Sequence, residues 1–391
     1  MKKIVFALLL SAFAVGFAGS EELDTYVYLY DLAETSMDQL EVLKNMAAEK
    51  VSGAEEFYAK TLRRLVSEYK NLKHVTERNA AADQARILSA QLGMEKYAQA
   101  APDLWRVVEM FTEPLVKAEA LMALGKIQAT AYLPQVIRIL QSLNTRPTPN
   151  RENGNQIAFG AIIALEEYAD PSGYLPVYFA SIGWYSERVT SQAVKSLPII
   201  ASDPTPFLTE VVKGPGYDYP AKFAALQTIE SSGAPNTSKA SVAVAALLEG
   251  WKASTNDLEL RKKLAEMRKL AMNMINRYGT SDEAVYAPLE RSYTYGYDSQ
   301  EKLVAVATLA SLRSDESARR LSKFLADLNA KRQSGNIRQE DEQMVRAVIP
   351  ALGQAGRPLG RPVLNATINL DWTPAVKALA SDALKQIGGA Q

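Results

Sequence analysis

Apolar residues recur along this chain at helical spacing. Between Lys117 and Leu140, in KAEALMALGKIQATAYLPQVIRIL, one stripe holds Ala120, Leu124 and Ile127. A second stripe, after a short polar break, holds Leu133, Val136 and Leu140. Spacings of three and four predict two successive amphipathic helices. Lys302 to Leu325 lies on the same segment without a gap, putting Ala305, Leu309, Leu312, Leu321 and Leu325 on Ala120, Leu124, Ile127, Val136 and Leu140. MVRAVIPALGQAGRPLGRPVLNATI repeats the form around Leu352, and DWTPAVKALASDALKQIG (Asp371–Gly388) repeats its first half.

With that leucine as anchor, the series reads Leu92, Leu124, Leu165, Leu197, Ile229, Ile275, Leu309, Leu352 and Leu384. The steps are 32, 41, 32, 32, 46, 34, 43 and 32 residues. A basic step near 32, stretched in places by inserted loops, predicts a two-helix repeat with a second helix of about ten residues. Polar turns such as ASDPTP and RSDES separate the helices, and the Gly-rich GQAGRPLG reads as another such turn. A single pair cannot bury its own stripe, so the units must stack. The alanine four residues before an anchor lets neighbouring helices approach closely. The last unit has no second helix.

These residues resemble the HEAT-like repeat family, in the short form named after phycobilisome lyases. Asp371, Trp372, Val376, Lys377, Ala380, Leu384, Ile387 and Gly388 carry the motif, and Val116, Lys117, Ala120, Leu124, Gly125 and Ile127 carry it again. The resemblance covers about residues 80 to 388 and departs at Ile229 and Ile275, where the glycine after the anchor is absent. It implies an all-α fold, a right-handed α-solenoid of stacked helix pairs.

Residues 21–80 lack the repeat and read as an N-terminal helical cap on a solenoid spanning 81–391. YVYLYDLAE (Tyr26–Glu34) could pass for a strand, but Leu40, Leu43 and Met46 beside it are at helical spacing. A further helix is expected from about Ala54 to Leu72. Residues 1–20 have a secretory signal layout: Lys2 and Lys3, the apolar run Ile4 to Val15, then Ala18-Gly19-Ser20. The run is short for a bilayer span, and nothing after it approaches 18 unbroken apolar residues. The expected location is outside the cytoplasm, in the periplasm of a bacterium, with no transmembrane segment in the mature chain.

Charge narrows the partners. The 44 basic and 44 acidic residues become 42 against 44 once Lys2 and Lys3 are removed, so no basic excess points to nucleic acid. There is no cysteine, which excludes disulfides and thiolate chemistry. His74 is the only histidine and sits in the charged stretch KNLKHVTER. Some HEAT-like proteins are metal-dependent hydroxylases with paired His-Glu motifs, and those pairs are absent. No HExxH, EF-hand or Walker loop occurs. Ser67–Lys70 matches S-x-x-K without the partner motifs of penicillin-recognising enzymes. The expectation is therefore a chain that is not an enzyme and uses no metal or cofactor.

Aromatic residues stand above this background. Phe111, Trp184, Tyr217, Trp251, Tyr295 and Trp372 each follow their anchor by 19 to 22 residues. That places them in the loops joining successive units, along one edge, where NTRPTPNRENGN (Asn144–Asn155) should also emerge as a long polar loop. Two roles are open. Phe111, Trp184 and Trp372 fit seals of the seam between units. Tyr185, Tyr219, Tyr293 and Tyr297 exceed what a seam needs and fit a partner-facing ledge. The candidate ledge comprises Trp184, Tyr185, Tyr217, Tyr219, Trp251, Tyr293, Tyr295 and Tyr297. The expected function is a non-catalytic exported scaffold or adaptor for protein–protein interaction in the bacterial cell envelope. The alternative is a carbohydrate- or peptidoglycan-binding module whose loop rings stack on sugars.

Overall fold

The repeated apolar stripes all become helices. The computed structural model describes residues 19–252 and 255–388; among them are 20 α-helices and no strand. The fold is all-α, as the sequence implied. The expected leader lies outside the described residues apart from Gly19 and Ser20, where the first helix begins. Among the described residues no helix is long and apolar enough to cross a membrane. The chain divides into two compact units, residues 1–201 and 202–391.

The first unit holds α1 (Gly19–Leu32), α2 (Ser36–Glu49), α3 (Glu55–Glu68), α4 (Val75–Met94) and α5 (Ala101–Met110). It continues with α6 (Pro114–Lys126), α7 (Leu133–Thr145), α8 (Arg151–Tyr168), α9 (Tyr174–Ser181) and α10 (Glu187–Ile200). The anchor-bearing helices α4, α6, α8 and α10 pack side by side, with α2 against α4. Their partners form a second layer in which α3 meets α5 and α7 meets α9. Glycine permits the closest approach in the first layer. A Cβ on Gly160 would lie 2.6 Å from Ala118 Cα, and one on Gly125 would lie 2.6 Å from Ala164 Cα. The aromatic stretch near the N-terminus is helical, in α1. Its Tyr30 is buried and its hydroxyl donates to Gln84 Oε1 of α4 at 3.2 Å. Position 80, the expected end of the cap, lies inside α4.

The second unit holds α11 (Thr205–Lys213), α12 (Tyr219–Ser231), α13 (Asn236–Lys252), α14 (Leu258–Tyr278) and α15 (Tyr286–Tyr295). It ends with α16 (Ser299–Leu312), α17 (Asp315–Gln333), α18 (Gln339–Ala355), α19 (Arg361–Asn369) and α20 (Pro374–Gly388). Helices α12, α14, α16, α18 and α20 form the anchor layer; α11, α13, α15, α17 and α19 form the other.

All nine anchors fall on anchor-layer helices, and eight are buried. Leu384 is the correction: it is half-buried, and Ala380, Ala383 and Ile387 carry the buried face of α20. No described helix follows α20 to cover the remaining side. The long steps also differ from expectation, because the extra residues lengthen helices rather than loops. Helices α13 and α14 run 17 and 21 residues across the step of 46. The stretch Asn144–Asn155 is mostly helical: α7 extends to Thr145, and Asn150 caps α8 by accepting from the backbone N–H groups of Glu152 and Asn153.

Candidate functional site

Each aromatic of the expected ledge can now be placed. The structure draws several into seams. Trp184 is half-buried and its indole N–H donates to the Leu143 carbonyl at 2.9 Å, at the end of α7. Tyr185 is buried, stacks on Trp184 with centroids 4.4 Å apart, and bonds Asn144 Oδ1 at 2.9 Å. Its proposed exposure is corrected: the ring is buried and tied to α7 through Asn144, and burial pushes its hydroxyl pKa up. Phe111 and Trp372, expected as seam residues, are buried. Phe111 packs against Tyr69, with ring centroids 4.1 Å apart, and Trp372 donates to Asn329 Oδ1 at 2.8 Å.

Several rings do not lie in loops. Trp251 and Tyr295 sit in the last turns of α13 and α15, Tyr293 lies within α15, and Tyr219 opens α12. For Trp251 the cause is the lengthening of α13, which has 17 residues and ends at Lys252. Two cations meet Trp251, with the Arg268 guanidinium 3.9 Å and that of Arg291 4.6 Å from its ring centre. Its indole N–H donates to Ser292 Oγ at 3.0 Å. Beneath it runs a charge pair absent from the sequence-based reading. Arg268 donates to Glu301 through Nε at 2.6 Å and Nη2 at 3.0 Å, and through Nη1 to the Gly250 carbonyl at 2.7 Å. The Tyr297 backbone N–H donates to the same carboxylate at 2.8 Å. Both charged residues are buried. Tyr217 and Tyr219 are half-buried; Tyr219 stacks on Phe223 at 5.6 Å, and burial pushes its hydroxyl pKa up to about 12.

Only Tyr295 and Tyr297 are open among the eight, at 71% and 39% exposure. Tyr295 edges a cleft of about 620 Å³ between α15 and α17 that reaches Lys302 of α16 and the start of α18. The Tyr293 ring lines this cleft, flat against Phe324, with centroids 3.7 Å apart and planes 12° apart. Burial raises the Tyr293 hydroxyl pKa, and the fields of Asp327, Asp341 and Glu340 add to it.

The rim carries both signs of charge. Lys323 pairs with Glu290 at 2.9 Å, Lys302 with Glu340 at 2.6 Å, and Lys331 with Asp341 at 2.5 Å. Burial tends to raise the Asp341 pKa, but Lys331 and the Arg338 N–H outweigh it and hold that carboxyl below its usual range. The result is a concave surface with an aromatic wall and preset charges, a geometry suited to recognition. Trp184, Tyr185, Trp251 and Tyr293 are engaged by neighbouring side chains.

Among the described residues no group of three or more His, Asp or Glu is placed to hold a metal. His74 is exposed at the start of α4.

No family model and no curated protein matches the chain. Among solved structures, human deoxyhypusine hydroxylase in complex with glycerol matches, with 16% identity, over 85% of this chain and 98% of that one. The TM-score is 0.28. That protein is an enzyme, so the expectation that this chain is not one is withdrawn. The likeness is too slight to assign a reaction here.

Proposed function

We propose that the chain is an exported bacterial HEAT-like repeat protein, with short repeats of the phycobilisome-lyase type, that acts as a scaffold or adaptor. Its partners are proteins of the cell envelope and its compartment is the periplasm. The cleft beside Tyr293 and Tyr295 carries this reading. It combines a half-buried aromatic wall, one strongly exposed ring, and lysine–carboxylate pairs that a partner's own charges can exchange with. The leader layout of residues 1–20 supports the export, and stacked helix pairs offer the long surfaces that protein partners use.

The test is affinity capture from envelope extract, with the mature chain beside Tyr295→Ala/Lys323→Glu. The expected result is a defined set of proteins held by the parent and lost by the variant, at unchanged melting temperature. Identical capture by both would remove the cleft from the reading. Sedimentation with purified peptidoglycan, equal for both, would leave the sugar alternative unsupported at these rings.

A further inference from the structure

In the first unit, the second-layer helices α5 and α7 make next to no contact, although α3 meets α5 and α7 meets α9. In the other layer, by contrast, Gly125 and Gly160 bring α6 and α8 into backbone contact. The gap is a groove of about 460 Å³, within the small-molecule range of about 300–1,000 Å³.

Its walls are Trp105 and Val108 of α5, Ile139 and Leu143 of α7, and Ile157 of α8. Trp105 is held in place, its ring stacked on Tyr132 at 5.5 Å and its indole N–H donating to Glu109 Oε1 at 2.9 Å. Lys117 of α6 also lines the groove, half-buried, and Arg138 of α7 contributes a second cation. Neither cation forms an ion pair among the described residues, while the groove's only carboxylate, Glu109, is engaged by Trp105. Burial draws the Lys117 pKa down, and the field of Glu113 opposes that only in part.

We propose that this groove binds a small amphiphilic carboxylate, its aliphatic or aryl part against Trp105 and Ile139 and its carboxylate on Lys117. Removing an apolar chain from water provides the affinity. The partly desolvated ammonium, in no ion pair among the described residues, selects the sign of the headgroup. The site lies wholly within the first unit and uses none of the residues of the partner cleft, so either reading can fail alone.

Isothermal titration of the whole chain with decanoate, decanol and decylamine tests it, with intrinsic tryptophan fluorescence as a second signal. Decanoate should bind at one site and perturb the fluorescence, decanol should bind more weakly, and decylamine should not bind. Lys117→Met should weaken decanoate about tenfold, the loss expected for one hydrogen bond to a charged group. Ile139→Asn, on the half-buried wall, should weaken decanoate and decanol alike and serves if Lys117→Met fails to fold. Absence of decanoate binding, equal binding of decylamine, or decanoate affinity unchanged in the folded variants would overturn the proposal.

Discussion

The Arg268–Glu301 pair offers the sharpest perturbation. Glu301 is fully buried and accepts three hydrogen bonds: two from Arg268, at 2.6 and 3.0 Å, and one from the Tyr297 N–H at 2.8 Å. In Glu301→Leu the guanidinium remains buried, supported only by the Gly250 carbonyl and the Trp251 ring. Breaking one side of a buried pair costs about 3–5 kcal/mol, because an uncompensated charge is left behind. Replacing both partners by apolar residues of similar volume removes that charge and is often neutral or better. Arg268→Met/Glu301→Leu should therefore be more stable than Glu301→Leu alone, a coupling of about 2 kcal/mol or more. Urea unfolding followed by far-ultraviolet circular dichroism reads all four members of the cycle. A Glu301→Leu cost below about 1 kcal/mol, or a double variant whose cost equals the sum of the singles, would refute the reasoning.

Further outcomes follow from the same geometry. Gly160→Val should lower the melting temperature by a cost of about 1–3 kcal/mol or more, since its Cβ would sit 2.6 Å from Ala118 backbone atoms that cannot retreat. Trp372→Ala should cost about 3–5 kcal/mol through lost packing and the lost bond to Asn329, whereas Tyr295→Ala should stay within about 0.5 kcal/mol; equal melting of the two would contradict the seam assignment. Leu124→Asp and Leu352→Asp should each cost about 3 kcal/mol or more, read by the same melts. Tyr58 and Tyr219 hold their protons to about pH 12 through burial, while an unfolded tyrosine releases its own near pH 10. Their contribution to stability is fully present below about pH 10 and is lost as pH rises towards 12, so the urea midpoint should fall across that window; a flat midpoint would count against the burial.

The helix-pair repeat was legible because its signal is periodic and redundant. Even Ile275, where the family motif fades, falls on the anchor layer at the expected place. Spacing could not distinguish an inserted loop from a lengthened helix, since both add residues between anchors. That ambiguity misplaced Trp251, near the end of the lengthened α13, while Tyr293 and Tyr295 were misplaced because the ten-residue α15 ends only at Tyr295. Tyr185 was misread for another reason: a ring's direction depends on an acceptor such as Asn144, 41 residues away. Trp372 was readable because its role belongs to the repeat itself. The buried ion pair left a usable trace. Arg268 lies four residues after Leu264 and four before Met272, and Glu301 four before Ala305, so opposite charges interrupt two apolar stripes. The groove beside Trp105 left none, because it arises from the divergence of α5 and α7, which no residue pattern encodes.

Site-specific photo-crosslinking in the native envelope tests the partner-binding account most directly. A photoreactive amino acid at position 295, on the exposed edge of the cleft, is compared with one at Leu32, which is exposed in the first unit. The account predicts a discrete adduct with an envelope protein from position 295 alone, abolished by Lys323→Glu. No adduct from position 295, or the same adducts from both positions, would contradict it.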